Sequence, residues 1–303
     1  MPLLLRESRP IPLGYMHRLF QILFLLLAPV AVFAAMVGAD RLFGSPGRGH
    51  NYVVRLAMPP VAGKVGLPPV LGPADAGRPL IVIDPGHGGH DPGAGSGPLK
   101  EKMLTLALAT ALRDDLLRGG GIRVALTRSD DRFLLLPERA DIARRLGADL
   151  FLSIHADSTE GSEASGASVY TLSERGSSDT AQAMAERENG SDSINGIALG
   201  RQSDAVSAIL VDLSQRETQA RSEEFARLVL RSARGRLPMR DNPLQSAAFI
   251  VLKAPDVPSV LFESGYISNA EDAARLNTAE GRGTFAEVAA QAIRVHFARH
   301  SQP

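Results

Sequence analysis

Short β-branched runs that alternate with amphipathic helices constrain the fold of this chain more than any other feature. The strand-like runs are Leu80–Ile83, Ile122–Leu126, Leu150–Ile154, Ser168–Leu172, Phe249–Leu252 and Ser259–Phe262. Helices are predicted at Glu101–Arg118, Pro137–Leu146, Ala181–Glu188, Thr218–Arg234 and Phe285–Ala298. Arg187–Ser203 is polar and poorly periodic, which predicts a surface loop. This order predicts an α/β, three-layer domain with a mostly parallel, twisted sheet flanked by helices.

The first 78 residues predict an exported chain with a tether. Leu19–Ala39 carries no charge, so residues 1–39 are interpreted as a signal peptide or a membrane anchor. Pro29 and the alanine-rich end favour cleavage over anchoring. Residues 40–78 are rich in Gly and Pro and predict a linker, which leaves residues 79–303 as the catalytic domain.

The charge balance and the absence of cysteine narrow the classes of partner and cofactor. Lys and Arg together number 33, and so do Asp and Glu, so no global field draws the chain to nucleic acid or anionic lipid. Contact with a membrane is expected only through an uncleaved N-terminal segment. With no cysteine, disulfides and thiol catalysis are excluded, and histidine and carboxylate remain as the expected metal ligands.

Three predicted strands end in side chains that bind metals or move protons. His87, His155 and Glu263 each follow a buried-looking run, and the carboxyl ends of strands in an open α/β sheet form the usual binding edge. Glu101 begins the first predicted helix, after a glycine-rich loop that can fold back tightly. These four residues are therefore expected to meet.

Two imidazoles and one carboxylate form a ligand set that catalytic zinc uses, with a further position left open for water. His87, Glu101 and His155 provide such a set, and Glu263 would serve as the acid/base because partial desolvation raises the pKa of a carboxyl. Each residue alone also fits a structural role: a turn histidine, a strand-end histidine, a first-turn glutamate and a strand-end carboxylate. The functional interpretation depends on their combination.

The motifs that contain these residues resemble a known family over about Pro79–Ala298. The matching segments include IVIDPGHGGHDPGA, LKEK, GADLFLSIHAD, GASVYTL, ERENGSD and SVLFESGYISN, all in the family's order. In these motifs the chain is similar to the zinc-dependent N-acetylmuramoyl-L-alanine amidases of the amidase-3 type, as in bacterial cell-separation amidases. The resemblance implies one zinc ion per catalytic domain, held by His87, Glu101 and His155, with Glu263 catalytic. Asp157 and His90 are secondary candidates for a ligand or for a residue that orients one.

The resemblance also implies a substrate and a mode of regulation. The substrate would be the amide between N-acetylmuramic acid and L-alanine in peptidoglycan, and its hydrolysis would release stem peptides. A regulatory helical insertion at 177–204 would place a glutamate at the metal's open position, with Glu188 the first candidate and Glu186 the second. A LytM-fold activator protein would draw this helix away, although the sequence alone favours a solvated helix face for Glu188.

Two other functions stay open on the sequence alone. A zinc carboxypeptidase or deacetylase would use the same ligand chemistry on another wall component. An inactive wall-binding scaffold would need none of the four site residues, and their presence argues against it. The expected location in each case is outside the cytoplasm: the periplasm, or a membrane-anchored form that faces it.

Overall fold

In the computed structural model, residues 27–28, 66–95, 99–158, 164–191 and 208–300 are described. Leu27 and Ala28 lie in a helix, and the other described residues belong to one compact unit, Val54–Gln302. Most of the predicted leader and linker lies outside these ranges. Within the described ranges, no helix has both the length and the apolar character needed to cross a membrane.

Six strands form one mostly parallel sheet, with order β2-β1-β3-β6-β4-β5. The strands are β1 Leu80–Pro85, β2 Arg123–Leu126, β3 Leu150–His155, β4 Ala167–Leu172, β5 Met239–Ala247 and β6 Ser259–Glu263. Neighbours β2, β1, β3 and β6 are parallel, whereas β4 runs antiparallel to β6 and parallel to β5. The predicted α/β class is confirmed.

Six α-helices connect and flank these strands in the described part of the chain. They are α1 Glu101–Gly119, α2 Leu136–Leu146, α3 Asp179–Asn189, α4 Ala208–Ala233, α5 Ala270–Asn277 and α6 Ala279–His300. Of the predicted surface loop Arg187–Ser203, the first three residues belong to α3, and 192–203 lie outside the described residues.

Alternating side chains of the central strands build two cores, one on each face of the sheet. Ile81 and Ile83 pack in a cluster with residues of α1, α4 and α6, while Leu80 and Val82 pack in a second cluster with residues of α2 and α3. Because successive strand residues point to opposite faces, a run of consecutive apolar residues serves both cores. The result is the predicted arrangement of helix, sheet and helix layers.

The predicted strand at Phe249–Leu252 is wrong. Ile250–Leu252 forms a short 3-10 helix, and the strand precedes it as β5. β5 lies at the edge of the sheet, where its Pro243 is tolerated and its partly exposed, polar residues show no apolar alternation. Val251 and Leu252 are buried in the second core although their backbone is not extended.

Sequence periodicity also missed α5 altogether and placed the beginning of α6 too late. α5 begins after Asn269, whose side chain accepts hydrogen bonds from the amides of Glu271 and Asp272, both at 3.1 Å. α6 begins before its predicted start at Phe285, since Thr278 Oγ1 accepts a hydrogen bond from the Gly281 amide at 3.0 Å. An asparagine or threonine before acidic residues was the available signal for both.

Residues 66–78, at the end of the predicted linker, are mostly exposed but not independent of the sheet. Leu71 and Val124 exchange backbone hydrogen bonds of 2.8 and 2.9 Å, which adds an antiparallel bridge beside β2. The compact unit therefore includes part of the segment that composition assigns to the linker.

We expect Gly281→Ala to destabilise the protein and Gly283→Ala not to. A Cβ at Gly281 would lie 1.9 Å from the Arg275 carbonyl oxygen, whereas a Cβ at Gly283 has nothing within 4 Å. The first change forces α5 and α6 apart and lowers the free energy of unfolding by about 1–3 kcal/mol. The second replaces a glycine inside a helix by alanine, which loses less conformational entropy on folding, and raises the free energy of unfolding by about 0.5–1 kcal/mol. Denaturant unfolding of both variants measures this difference, and equal shifts would contradict the close approach.

Candidate metal centre at the carboxyl edge of the sheet

Strand register places His155 and Glu263 side by side. His155 pairs with Glu263 across the parallel strands β3 and β6, and both are the last residues of their strands. By alternation their side chains share the sheet face of Phe151 and Leu261, which belong to the core that contains α3. The predicted meeting of strand ends is therefore a direct consequence of register.

His87 follows β1 in a conformation that few residues other than glycine adopt, with φ of +59°. Its Nδ1 forms a 2.8 Å hydrogen bond with Asp91 Oδ2, which leaves Nε2 facing His155 and Glu101. Small residues make room for the rings: a Cβ at Gly86 would lie 2.5 Å from the His155 ring, and one at Gly93 would lie 2.6 Å from the His87 ring. The glycine-rich loop is thus needed for close packing around both imidazoles.

Glu101 is the first residue of α1 and is fully buried between the two histidines. Its Oε2 lies 3.1 Å from His87 Nε2, and its Oε1 lies 3.3 Å from His155 Nδ1. The amides of Ala94 and Ala156 donate hydrogen bonds to the two oxygens, each at 2.8 Å. The carboxylate is thereby fixed between the loop and the end of β3.

Glu188 of α3 completes a buried group of four side chains. Its Oε2 lies 3.2 Å from His155 Nδ1 and 3.6 Å from His87 Nε2. One ligand atom from each of His87, Glu101, His155 and Glu188 lies within 4.8 Å of all the others, a spacing that could enclose a metal ion. The solvated helix face that the sequence alone favours for Glu188 is wrong, because the residue is buried.

Glu263 lies beside this group in a fully buried position. Its Oε2 accepts a hydrogen bond from the Asp157 amide at 3.1 Å, while its buried Oε1 has no hydrogen-bond partner. Burial, followed by the charges of Asp157, Glu101 and Glu188, raises the pKa of Glu263 well above its ordinary value. Burial also opposes ionisation of Glu101, but the nearby charges of His87 and His155 lower the pKa of Glu101 well below its ordinary value.

The opposite pKa shifts of Glu101 and Glu263 separate their chemistry. Glu101 is ionised and suited to hold a cation, whereas Glu263 is suited to take up and release a proton. A cation in the cluster would offset part of the rise in the pKa of Glu263.

The secondary candidates lie at different places. Asp157 is buried, and its carboxylate accepts hydrogen bonds from the Ser158 amide and from Arg187. Burial and the charge of Glu188 raise the pKa of Asp157 to about 7, against the effect of Arg187. His90 is exposed and its ring packs on Phe133, with centroids 4.2 Å apart. Glu186 is also exposed, on the side of α3 away from the cluster, and it accepts a hydrogen bond from Gln182.

A buried ion pair beneath the cluster is the main feature that sequence reasoning missed. Arg139 of α2 donates to Asp84 Oδ1 at 3.0 Å, and also to the carbonyls of Pro85 at 2.9 Å and His87 at 2.8 Å. Burial would raise the pKa of Asp84, but Arg139 and the hydroxyls of Thr127 and Ser153 lower it below its ordinary value. The available signal was an aspartate inside an otherwise apolar strand, which requires a partner when buried.

A second buried arginine supports the same loop. Arg128 follows β2 and donates hydrogen bonds to the carbonyls of Pro85 at 3.0 Å, Gly86 at 2.7 Å and Lys102 at 2.8 Å. Burial, with the charge of nearby Arg139 as the second cause, lowers the pKa of Arg128 to about 10, so it remains cationic at neutral pH. Both arginines thus satisfy backbone groups where the chain leaves the sheet.

The fold and the cluster together define an α/β domain equipped to hold a metal ion at the carboxyl edge of its sheet. The family model described as N-acetylmuramoyl-L-alanine amidase matches residues 81–295. N-acetylmuramoyl-L-alanine amidase AmiA of Escherichia coli strain K12 is 40% identical over 223 residues, which cover 73% of this chain and 77% of that protein.

Two solved structures support the same assignment. AmiC2 of Nostoc punctiforme has a TM-score of 0.53 and 28% identity, with 74% of this chain and 100% of that chain covered. The catalytic domain of CwlV from Bacillus (Paenibacillus) polymyxa var. colistinus has a TM-score of 0.51 and 27% identity, with 73% and 98% covered. The chain belongs to the N-acetylmuramoyl-L-alanine amidase family, which confirms the resemblance and the enzyme class that the motifs imply.

We expect Arg139→Met to destabilise the protein by about 3–5 kcal/mol, because it leaves the Asp84 carboxylate buried without its ionic partner. Urea unfolding measures the loss. Arg227→Met is the matched control, since Arg227 pairs with Glu223 on the surface of α4 and should change stability by less than about 1 kcal/mol. Similar losses in the two variants would contradict a special role for the buried pair.

Proposed function

We propose that this protein is a zinc-dependent amidase that cleaves the bond between N-acetylmuramic acid and L-alanine in peptidoglycan and so releases stem peptides. The observation that carries the proposal is the convergence of His87, Glu101 and His155 beside the buried Glu263. Membership of the amidase family supports the choice of bond over those that a carboxypeptidase or a deacetylase would cleave.

The three proposed ligands fit zinc in their chemistry. His87 Nε2 and His155 Nδ1 are buried nitrogens without a hydrogen-bond partner, and both face Glu101. Unpaired buried nitrogens are costly, and a metal ion would satisfy both. Asp91 holds the His87 ring by its other nitrogen, as second partners of metal-binding histidines do. One catalytic ion per domain is proposed.

Bound zinc would lower the pKa of a water molecule and polarise the substrate carbonyl. Glu263 is proposed to take the proton of the attacking water and to deliver it to the leaving nitrogen of L-alanine. The Asp157 amide holds Oε2 of Glu263, so the unpartnered Oε1 is the oxygen available for this transfer. Burial of Glu263 keeps bulk water from competing for the proton.

Glu188 is proposed to block the resting enzyme. Its carboxylate lies within 3.6 Å of both histidine nitrogens, where it would occupy the coordination position that water and substrate need. Two contacts beside it hold α3 in place: Arg187 donates to Asp157, and Asn189 exchanges hydrogen bonds with the Ala248 carbonyl and the Ile250 amide at 2.9 and 2.8 Å. Activation then requires a partner that draws α3 away, for which a LytM-fold protein is our candidate.

The proposed setting is wall remodelling during cell separation, outside the cytoplasm. Peptidoglycan as substrate requires export, and the uncharged Leu19–Ala39 segment supports it. A periplasmic location with a cleaved signal is proposed ahead of a membrane-anchored form.

Substitution Glu263→Gln is expected to lower hydrolysis of purified peptidoglycan by about 100-fold or more, because a general acid/base is lost. The full chain is assayed with this change alone and combined with Glu188→Gln, and the digest is analysed by mass spectrometry. Exposed Glu280→Gln is the control, with unchanged activity expected.

Chelation should abolish the release of stem peptides that begin at L-alanine, and added zinc should restore it. Release of other products, or full activity without metal, would contradict the proposed reaction.

Substitution Glu188→Gln is expected to raise the activity of the partner-free enzyme by about 5- to 150-fold, the range of a typical coupling between two states. Arg187→Gln should act in the same direction with a smaller effect, since it removes only a contact that holds α3. Exposed Glu186→Gln on the same helix is the matched control and should leave activity unchanged. A folded, zinc-loaded Glu188→Gln enzyme with wild-type activity would rule out the block.

A further inference from the structure

A second group of metal-binding side chains lies between α4 and α6, and it shares no residue with the proposed catalytic centre. Glu224 belongs to α4, and His296 and His300 belong to α6. One ligand atom from each residue lies within 4.8 Å of the other two. Histidines four residues apart face the same side of a helix, so both can reach one ion.

The hydrogen bonds of this group leave one buried nitrogen unsatisfied. His300 Nε2 lies 2.9 Å from Glu224 Oε2, and Arg299 donates to Glu224 Oε1, also at 2.9 Å. His296 is 2% exposed, and its Nδ1 is buried without a hydrogen-bond partner. Its ring lies 4.7 Å from the His300 ring between centroids. A buried polar nitrogen of this kind needs an explanation.

The ring of His296 is enclosed by aromatic side chains. The ring packs against Phe225 and Phe297, with centroids 5.4 and 5.6 Å away. Aromatic packing alone would account for a buried apolar residue at this position, but it does not account for a carboxylate and a second imidazole beside it.

We propose that Glu224, His296 and His300 form a second, structural site for a divalent transition metal ion such as zinc. Two imidazoles and one carboxylate are suitable ligands for zinc, nickel or copper, with remaining positions filled by water. The ion would take the place of the hydrogen bond between His300 and Glu224, whose proton would pass to solvent, and would join α4 to α6. Because such an ion binds only when the two helices are packed together, it stabilises the folded state.

Arg299 distinguishes a metal site from a cluster that only supports helix packing, because the two predict different effects of its loss on zinc affinity. Its guanidinium contacts the proposed carboxylate ligand and therefore opposes binding of a cation. Arg299→Gln should strengthen zinc binding at this site, whereas an ion pair that only supports helix packing would leave zinc affinity unchanged.

The test is titration of the metal-free full chain with zinc, in competition with a chromophoric chelator. The wild-type chain is expected to take two zinc ions, and Glu224→Gln and His300→Ala should each weaken one of them by at least about tenfold. The matched control is Glu223→Gln, a change at the neighbouring, partly exposed residue of α4, which should retain both ions.

Loss of one proposed site is distinguishable from loss of the other. His155→Ala removes a ligand of the catalytic centre and should retain the ion that depends on Glu224 and His300. The second site would be overturned if wild type bound one zinc ion and both Glu224→Gln and His300→Ala retained it. It would also be overturned if both variants bound two ions as tightly as wild type does. Unchanged or weaker zinc binding by Arg299→Gln would overturn it as well. A single ion lost in Glu224→Gln but not in His155→Ala would support the second site and contradict the catalytic one.

Discussion

The buried ion pair between Asp84 and Arg139 supports the loop on which the proposed catalytic centre depends. β1 ends at Pro85, and the backbone beyond it turns away from its neighbouring strands into the loop that carries His87. Carbonyl groups at such a departure lose their partners in the sheet and need others when buried. Arg139 and Arg128 supply them, because a guanidinium offers several fixed donors in one plane. Two buried positive charges are costly, and Asp84 offsets part of that cost through its bond with Arg139.

Negative charge above this support gives the site its chemistry. Glu101, Glu188, Glu263 and Asp157 are all buried close to the two histidines, an arrangement in which like charges repel strongly. The protein relieves that repulsion unevenly: the pKa of Glu101 is lowered, whereas the pKa values of Asp157 and Glu263 are raised. A divalent cation would relieve it further, so the electrostatics and the unpartnered histidine nitrogens support the same proposal.

Prediction from the sequence succeeded where one local pattern determines the structure. His87, His155 and Glu263 end apolar runs, and the parallel arrangement of those runs is enough to bring strand ends together. The burial of Glu188 could not be predicted in the same way, because α3 carries only a short apolar face and its docking depends on tertiary contacts. β5 was missed because an edge strand lacks the two-sided burial that produces an apolar run. The buried arginines were missed because most of their partners are backbone carbonyls, which leave no trace in the sequence; only Asp84 offered a signal, and only for Arg139.

The composition of α3 is compatible with the proposed release of this helix without unfolding of the domain. Its buried face is Ala181, Met184, Ala185 and Glu188, whereas α1 buries Leu104, Leu108, Leu112 and Leu116. At about 0.8 kcal/mol per buried methylene group, the alanines contribute little to docking, so Met184 and the polar contacts of Arg187 and Asn189 carry much of it. The proposed activating partner would need about 5.5 kcal/mol of differential binding to convert a two-state equilibrium from 1:99 to 99:1. An interface of ordinary size with α3 can provide that amount. The leucine-rich contacts of α1 with the sheet lie in the other core, without α3 residues, so they would stay intact in the proposed released state.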